Sequence, residues 1–89
     1  MLLPSVVDEQ LIYQFKYWDQ KILDGMFHRN EIYTLFRAYS HQDRLKAYAD
    51  AEQQTNKGIA VCITVSKANY CVWLNLRFLE KRYCLHSVS

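Results

Sequence analysis

Residues 59–77 constrain the fold more than any other part of the chain. From Ile59 to Ser66, β-branched residues alternate with small or polar ones. From Tyr70 to Arg77 a second alternation sets the aliphatic residues Val72, Leu74 and Leu76 against Cys71, Trp73, Asn75 and Arg77. Between the two runs lies a short turn, Lys67-Ala68-Asn69, in which Asn69 best tolerates left-handed backbone geometry. The pattern predicts a β-hairpin, and therefore a fold built around an antiparallel sheet.

The segment ahead of the hairpin predicts a helix. Residues 44–56, RLKAYADAEQQTN, are mostly good helix formers, and Lys57-Gly58 supplies a stop. The stretch from Ser40 to Asp43 is typical of a helix start, because the Ser40 hydroxyl can accept a bond from the Asp43 amide. The residues expected to face the core are Leu45, Tyr48 and Ala49.

Two interpretations compete for residues 31–39, EIYTLFRAY. The segment is rich in β-branched and aromatic residues that alternate as in a strand. The rival is a helix that continues from His28. Its apolar stripe would contain Ile32, Leu35, Phe36 and Tyr39. A helix start at Ser40 favours the strand, because the residue before that start must leave helical geometry.

The N-terminal segment predicts another helix, at about residues 6–24. Apolar residues recur three or four positions apart, and Gly25 is a natural stop. The stripe contains Val7, Leu11, Phe15, Trp18 and Ile22, widened by Ile12 and Leu23. The predicted fold class is therefore α+β, with an N-terminal helix followed by a β-α-β-β unit that has a three-stranded sheet.

A chain of 89 residues has room for one domain. We expect a single domain over residues 1–89, with its β-α-β-β core at about 31–77 and a C-terminal tail at 78–89. A right-handed crossover would place the last strand between the other two. The second helix would then cover one face of the sheet.

Aromatic and basic side chains share the opposite face and the exposed side of the first helix. These residue types are enriched in protein interfaces. The predicted partner-binding residues are Tyr13, Tyr17, Tyr33, Arg37, Trp73 and Arg77. Three arrangements of Trp73 stay open: an exposed platform, a core position under the first helix, or burial against a second copy of the chain.

The sequence contains no motif that carries catalysis. There is no glycine-rich phosphate loop, no GxSxG and no HExxH. Paired metal ligands such as CxxC are missing too, so we expect no metal and no cofactor. The interpretation is a non-enzymatic adaptor, assembly factor or regulator that contacts another protein, with a homodimer as one arrangement.

A nucleic-acid-binding regulator is the alternative. A net charge of +2 is small for such a protein, although basic residues gather near the C-terminus. The candidate contacts are Lys67, Arg77, Lys81 and Arg82. Three cysteines without CxxC favour a reducing cytoplasm, and the absence of a long apolar run predicts no membrane segment.

The segment from Ile32 to Leu76 resembles two kinds of protein. Its strand-helix-strand-strand layout is similar to the core of SPOR domains, which bind glycan strands across their sheet. Its sequence pattern, D-R-x-x-A-Y followed by G-I-A-V-x-I-T-V-S and Y-x-V-W, is similar to that of short uncharacterised proteins of cyanobacterial type. The second resemblance implies an accessory or regulatory role and supplies no catalytic residues.

Overall fold

The computed structural model describes residues 5–78, which form one six-stranded sheet and one α-helix. The elements are β1 (Ser5–Asp8), β2 (Tyr13–Trp18), β3 (Ile22–His28), β4 (Glu31–Ser40), α1 (Arg44–Asn56), β5 (Val61–Val65) and β6 (Asn69–Asn75). The strand order is β1-β5-β6-β4-β3-β2, with β1 parallel to β5 and all other neighbours antiparallel. Except for Phe78, the predicted C-terminal tail lies outside the described residues.

The prediction of an N-terminal helix and a three-stranded sheet is wrong. Residues 13–28 instead form a β2–β3 hairpin that extends the sheet. In β2, the side chains of Tyr13, Phe15 and Tyr17 lie on one face of the sheet. The side chains of the residues between and after them, Gln14, Lys16 and Trp18, lie on the other face. The apolar residues of this segment fit both this period of two and the spacing of three or four residues that a helix requires. The chain follows the period of two.

Two turns that lack glycine make these hairpins possible. Gln20 adopts φ 67° in the turn between β2 and β3. Arg29 and Asn30 adopt φ 52° and 63° between β3 and β4, the positive values that a tight two-residue hairpin turn requires. Gly25, which the sequence indicated as a helix stop, lies in the middle of β3.

The order of the later elements agrees with the sequence prediction. Strand β4 is followed by α1 and by the β5–β6 hairpin, and β6 lies between β4 and β5. Ser40 is extended, at φ −72° and ψ 164°, so the chain does leave helical geometry there. A 3-10 turn over His41–Asp43 then leads into α1, and the Ser40 hydroxyl donates to the Asp43 carboxylate at 3.3 Å rather than capping an amide.

Helix α1 packs on β4, β5 and β6 through small residues. Ala47 and Ala51 are fully buried, and they allow the helix axis to approach the sheet closely. The prediction of the core-facing side is wrong for Leu45, which is 75% exposed, and for Ala49, which is also exposed. Tyr48 lies at the edge of the core, with its ring centroid 6.2 Å from that of the buried Tyr70. The core on this side contains Tyr39, Ala47, Ala51, Ile59, Val61, Ile63, Tyr70, Val72 and Leu74.

The sheet curls around a second core on its other face. Its outer strands β1 and β2 are joined only by residues 9–12, a link that spans at most about 18 Å. In a flat sheet of six strands the outer strands would lie about 24 Å apart. The sheet must therefore bend, and a bulge in β4 between Leu35 and Arg37 adds to the bend. The enclosed cluster contains Met26, Cys62 and Trp73, with Val7, Ile12, Tyr33, Leu35 and Cys71 packed against it.

Candidate protein interaction surface

Strand β2 is an outer strand, and within residues 5–78 no strand pairs with its free side. At the hairpin turn the Asp19 amide donates to the Lys21 carbonyl at 2.9 Å, which makes the opposed Trp18 and Ile22 a non-hydrogen-bonded pair. Along a strand, the main-chain N–H and C=O groups of successive residues point alternately to one side of the strand and to the other. The main-chain groups of Tyr13, Phe15 and Tyr17 therefore bond to β3, and those of Gln14, Lys16 and Trp18 point to the free side.

Three aromatic rings line β2 on the side of the sheet that carries α1. The ring centroids of Tyr13 and Phe15 are 6.2 Å apart, and those of Phe15 and Tyr17 are also 6.2 Å apart. Gly25 makes room for the central ring, since a Cβ at this position would lie 2.7 Å from Cε2 of Phe15. The Tyr17 hydroxyl donates to Oγ1 of Thr34 at 2.6 Å, which fixes that ring across the sheet.

The row of rings on β2 continues into an exposed apolar patch. Tyr13 lies opposite Phe27, and Phe27 lies opposite Ile32 on β4. All three side chains are exposed, Tyr13 by 68%. Helix α1 packs on β4, β5 and β6, so these residues form a strip of apolar surface beside it. We call Tyr13, Phe15, Tyr17, Phe27 and Ile32 the aromatic strip.

Trp73, the residue that drew most attention in the sequence, is inside the molecule. It is 2% exposed, and its indole Nε1–H donates to Oγ1 of Thr64 at 2.8 Å. The curled sheet covers the ring, and Ile12 packs against the same cluster. A partner can reach Trp73 only if this core opens. Trp18, which a helix would have placed in the core, is 73% exposed at the hairpin end.

The other predicted binding residues are not brought together. Tyr33 is half-buried in the concave core, and burial raises the pKa of its phenol. Arg37 lies 3.5 Å from the Asp50 carboxylate, and Arg77 lies 3.2 Å from the carboxylate of Glu31. Lys67 borders a groove elsewhere. Lys81 and Arg82 lie outside the described residues. Among the predicted residues that the structure describes, Tyr13 and Tyr17 share the aromatic strip, on β2 rather than on the predicted helix. Arg77 borders the end of that strip, where it lines a small pocket with Ile32.

The described thiols lie in environments that suppress reactivity. Cys62 and Cys71 are unbridged and on the same face of the sheet, diagonally across β5 and β6. Burial raises the pKa of Cys62 to about 11 and also raises that of Cys71. Such thiols are protonated at neutral pH and are poor nucleophiles. No group of three metal-ligating side chains occurs within residues 5–78, and Cys84 and His86 lie beyond that range.

An open groove of about 720 Å³ lies where residues 9–12 cross from β1 to β2. Its two carboxylates already have partners. Asp8 accepts a bond from the Gln10 amide at 2.9 Å, and Glu9 accepts one from the Gln14 side chain at 3.0 Å. These bonds hold the crossing segment in place, so we assign the carboxylates a structural role.

Comparisons with protein-family models, curated proteins and solved structures find no match. The two resemblances noted in the sequence therefore stay predictions. No helix in the described part of the chain is long and apolar enough to cross a membrane.

Proposed function

We propose that this chain is a non-enzymatic interaction module that binds another protein by accepting an additional strand on the free side of β2. The observation that carries this proposal is the coincidence of two features on β2. Main-chain donors and acceptors that no strand within residues 5–78 uses run along the edge at Gln14, Lys16 and Trp18, and the aromatic strip lies beside them. An incoming strand would bond to the first and place alternate side chains on the second.

The charges near this surface favour a protein over a nucleic acid. Nucleic-acid affinity comes largely from cations that contact phosphates. Here Lys16 is paired with Asp24, Arg37 with Asp50 and Arg77 with Glu31. The proposed role is that of a cytoplasmic adaptor, assembly factor or regulator, and the free thiols of the buried Cys62 and the half-buried Cys71 are consistent with a reducing compartment.

A proline at position 16 tests the edge. Because the Lys16 amide points away from β3, Lys16→Pro should block an incoming strand and leave the β2–β3 ladder intact. Lys16→Ala is the matched control, since it removes the same charge and its exposed ion pair but keeps the amide. The experiment is affinity capture from the native host with wild type and both variants, each first shown by circular dichroism to be folded.

We expect wild type and Lys16→Ala to retain the same protein and Lys16→Pro to lose it. A partner that binds all three equally would contradict recognition through the edge. Bound RNA or DNA, released by moderate salt, would instead support the nucleic-acid alternative.

A further inference from the structure

The edge of β2 has the pattern of a strand that can pair with itself, and we infer that its partner is a second copy of this chain. The inference rests on the proposed function, because it names the strand that would be added to β2. It predicts a two-fold dimer in which the two β2 strands run antiparallel and the two sheets become one.

Hydrogen-bond geometry limits how two β2 strands can meet. In an antiparallel pair, residues with outward main-chain groups must oppose each other, and opposed side chains lie on the same face. The outward residues of β2 are Gln14, Lys16 and Trp18. A two-fold axis must therefore pass through a residue and its own copy, and the centres with the longest overlap of the six-residue strand are Phe15 and Lys16.

Charge decides between these two centres. An axis through Lys16 sets two ammonium groups directly opposite each other, which is destabilising. An axis through Phe15 instead sets Gln14 against Lys16 of the second copy, so that an amide meets an ammonium group. The geometry therefore favours Phe15 as the centre.

The same register unites the aromatic rings. Phe15 lies against its own copy, and Tyr13 lies against Tyr17 of the second copy, so six rings form a continuous row across the junction. Aromatic cross-strand pairs stabilise a sheet. The other outer strand is a weaker candidate, because β1 has only four residues and none of them is aromatic.

Sedimentation equilibrium of the purified protein over a range of concentrations tests the dimer. In the Phe15-centred register the Lys16 main-chain amide donates to the Gln14 carbonyl of the other copy. The two-fold symmetry repeats this bond, so the dimer contains it twice. We expect wild type and Lys16→Ala to dimerise, and Lys16→Pro to weaken the dimer by about tenfold or more. A wild-type protein that stays monomeric at every concentration would overturn the inference, as would a dimer that Lys16→Pro leaves unchanged.

Disulfide trapping tests the register. All variants carry Cys84→Ser, which by itself serves as the blank, and Cys62 and Cys71 are buried or half-buried. Mild oxidation should link Phe15→Cys to its own copy. Tyr13→Cys should not link to itself, because its opposite is Tyr17, whereas a mixture of Tyr13→Cys and Tyr17→Cys should form the heterodimer. Self-linking of Tyr13→Cys in place of Phe15→Cys would rule out this register.

The two proposals fail in different ways. If the purified chain is monomeric but Lys16→Pro still loses a captured host protein, the second copy is excluded and recognition through the edge stands. If Lys16→Pro changes neither self-association nor capture, both proposals are excluded.

Discussion

At the scale of single residues, the bond between Trp73 and Thr64 shows how a polar atom is accommodated in a buried core. The indole N–H needs an acceptor once the ring is buried, and the Thr64 hydroxyl on the neighbouring strand supplies one at 2.8 Å. The sequence indicates that Thr64 and Trp73 are neighbours in a hairpin. It does not reveal that this face is enclosed, because the covering comes from the bend of the whole sheet.

Removing that acceptor should destabilise the protein. Thr64→Val keeps the side-chain shape but leaves the buried Nε1–H of Trp73 without a partner, so we expect a loss of about 1–3 kcal/mol in the free energy of unfolding. Thr64→Ser keeps a hydroxyl at the same position and serves as the control. Urea unfolding followed by tryptophan fluorescence measures both. An equal loss in both variants would assign the effect to packing rather than to the hydrogen bond.

Tyr39 should make stability depend on pH in the alkaline range. Burial, with a hydrogen bond to Asp50 and the negative charge of that carboxylate, raises the pKa of its phenol from 10 to about 12. The folded state thus favours the neutral phenol. The contribution of this group is fully present below pH 10 and is lost as pH rises from 10 to 12.

Thermal unfolding of wild type and Tyr39→Phe between pH 8 and 12 measures this contribution. The variant lacks the ionising group, so the difference in stability between the two proteins should be constant below pH 10 and should change in favour of the variant above it. A difference that is the same at every pH would show that Tyr39 does not titrate with folding.

At the scale of elements, the sequence predicted some segments and missed others for a common reason. Helix α1 and the β5–β6 hairpin carry distinct periods, and for β4, whose residues also fit a helical stripe, the break at Ser40 favoured a strand. The β2–β3 hairpin has no such marks. Its apolar residues fit periods of two and of 3.6, and its turn at Gln20 has a positive φ without glycine or asparagine. Residue propensity alone does not distinguish a helix from a strand in this segment. The pairing of β3 with β4 stabilises the strand.

The contact between α1 and the sheet depends on alanine size. Ala51 is fully buried, while Ala49, two positions earlier, is exposed. Ala51→Leu should overfill the space between helix and sheet and reduce stability by about 1–3 kcal/mol. Ala49→Leu adds the same atoms in solvent and should change stability by less than about 0.5 kcal/mol. Urea unfolding midpoints compare the two variants, and a larger loss in Ala49→Leu than in Ala51→Leu would mean that the other side of the helix faces the sheet.

At the scale of the whole molecule, the short link between the outer strands determines the shape. Residues 9–12 force the sheet to curl, the curl encloses Trp73, and the aromatic strip is left on the outer face of the sheet. The candidate site was therefore predictable only in part. Tyr13 and Tyr17 were predicted as partner-binding residues from their type, but the strand edge beside them, which no strand within residues 5–78 pairs with, exists because residues 13–28 form strands.

Nuclear Overhauser contacts in residues 6–28 test the central claim most directly, namely that this segment extends the sheet. In the non-hydrogen-bonded pairs of the β2–β3 hairpin the Cα atoms lie about 4.5 Å apart, close enough for strong contacts between α-protons. The fold predicts such contacts between Lys16 and Asp24 and between Trp18 and Ile22. Consecutive amide–amide contacts with α-proton to amide contacts three residues apart, running from residue 6 to residue 24, would show a helix there and contradict the fold.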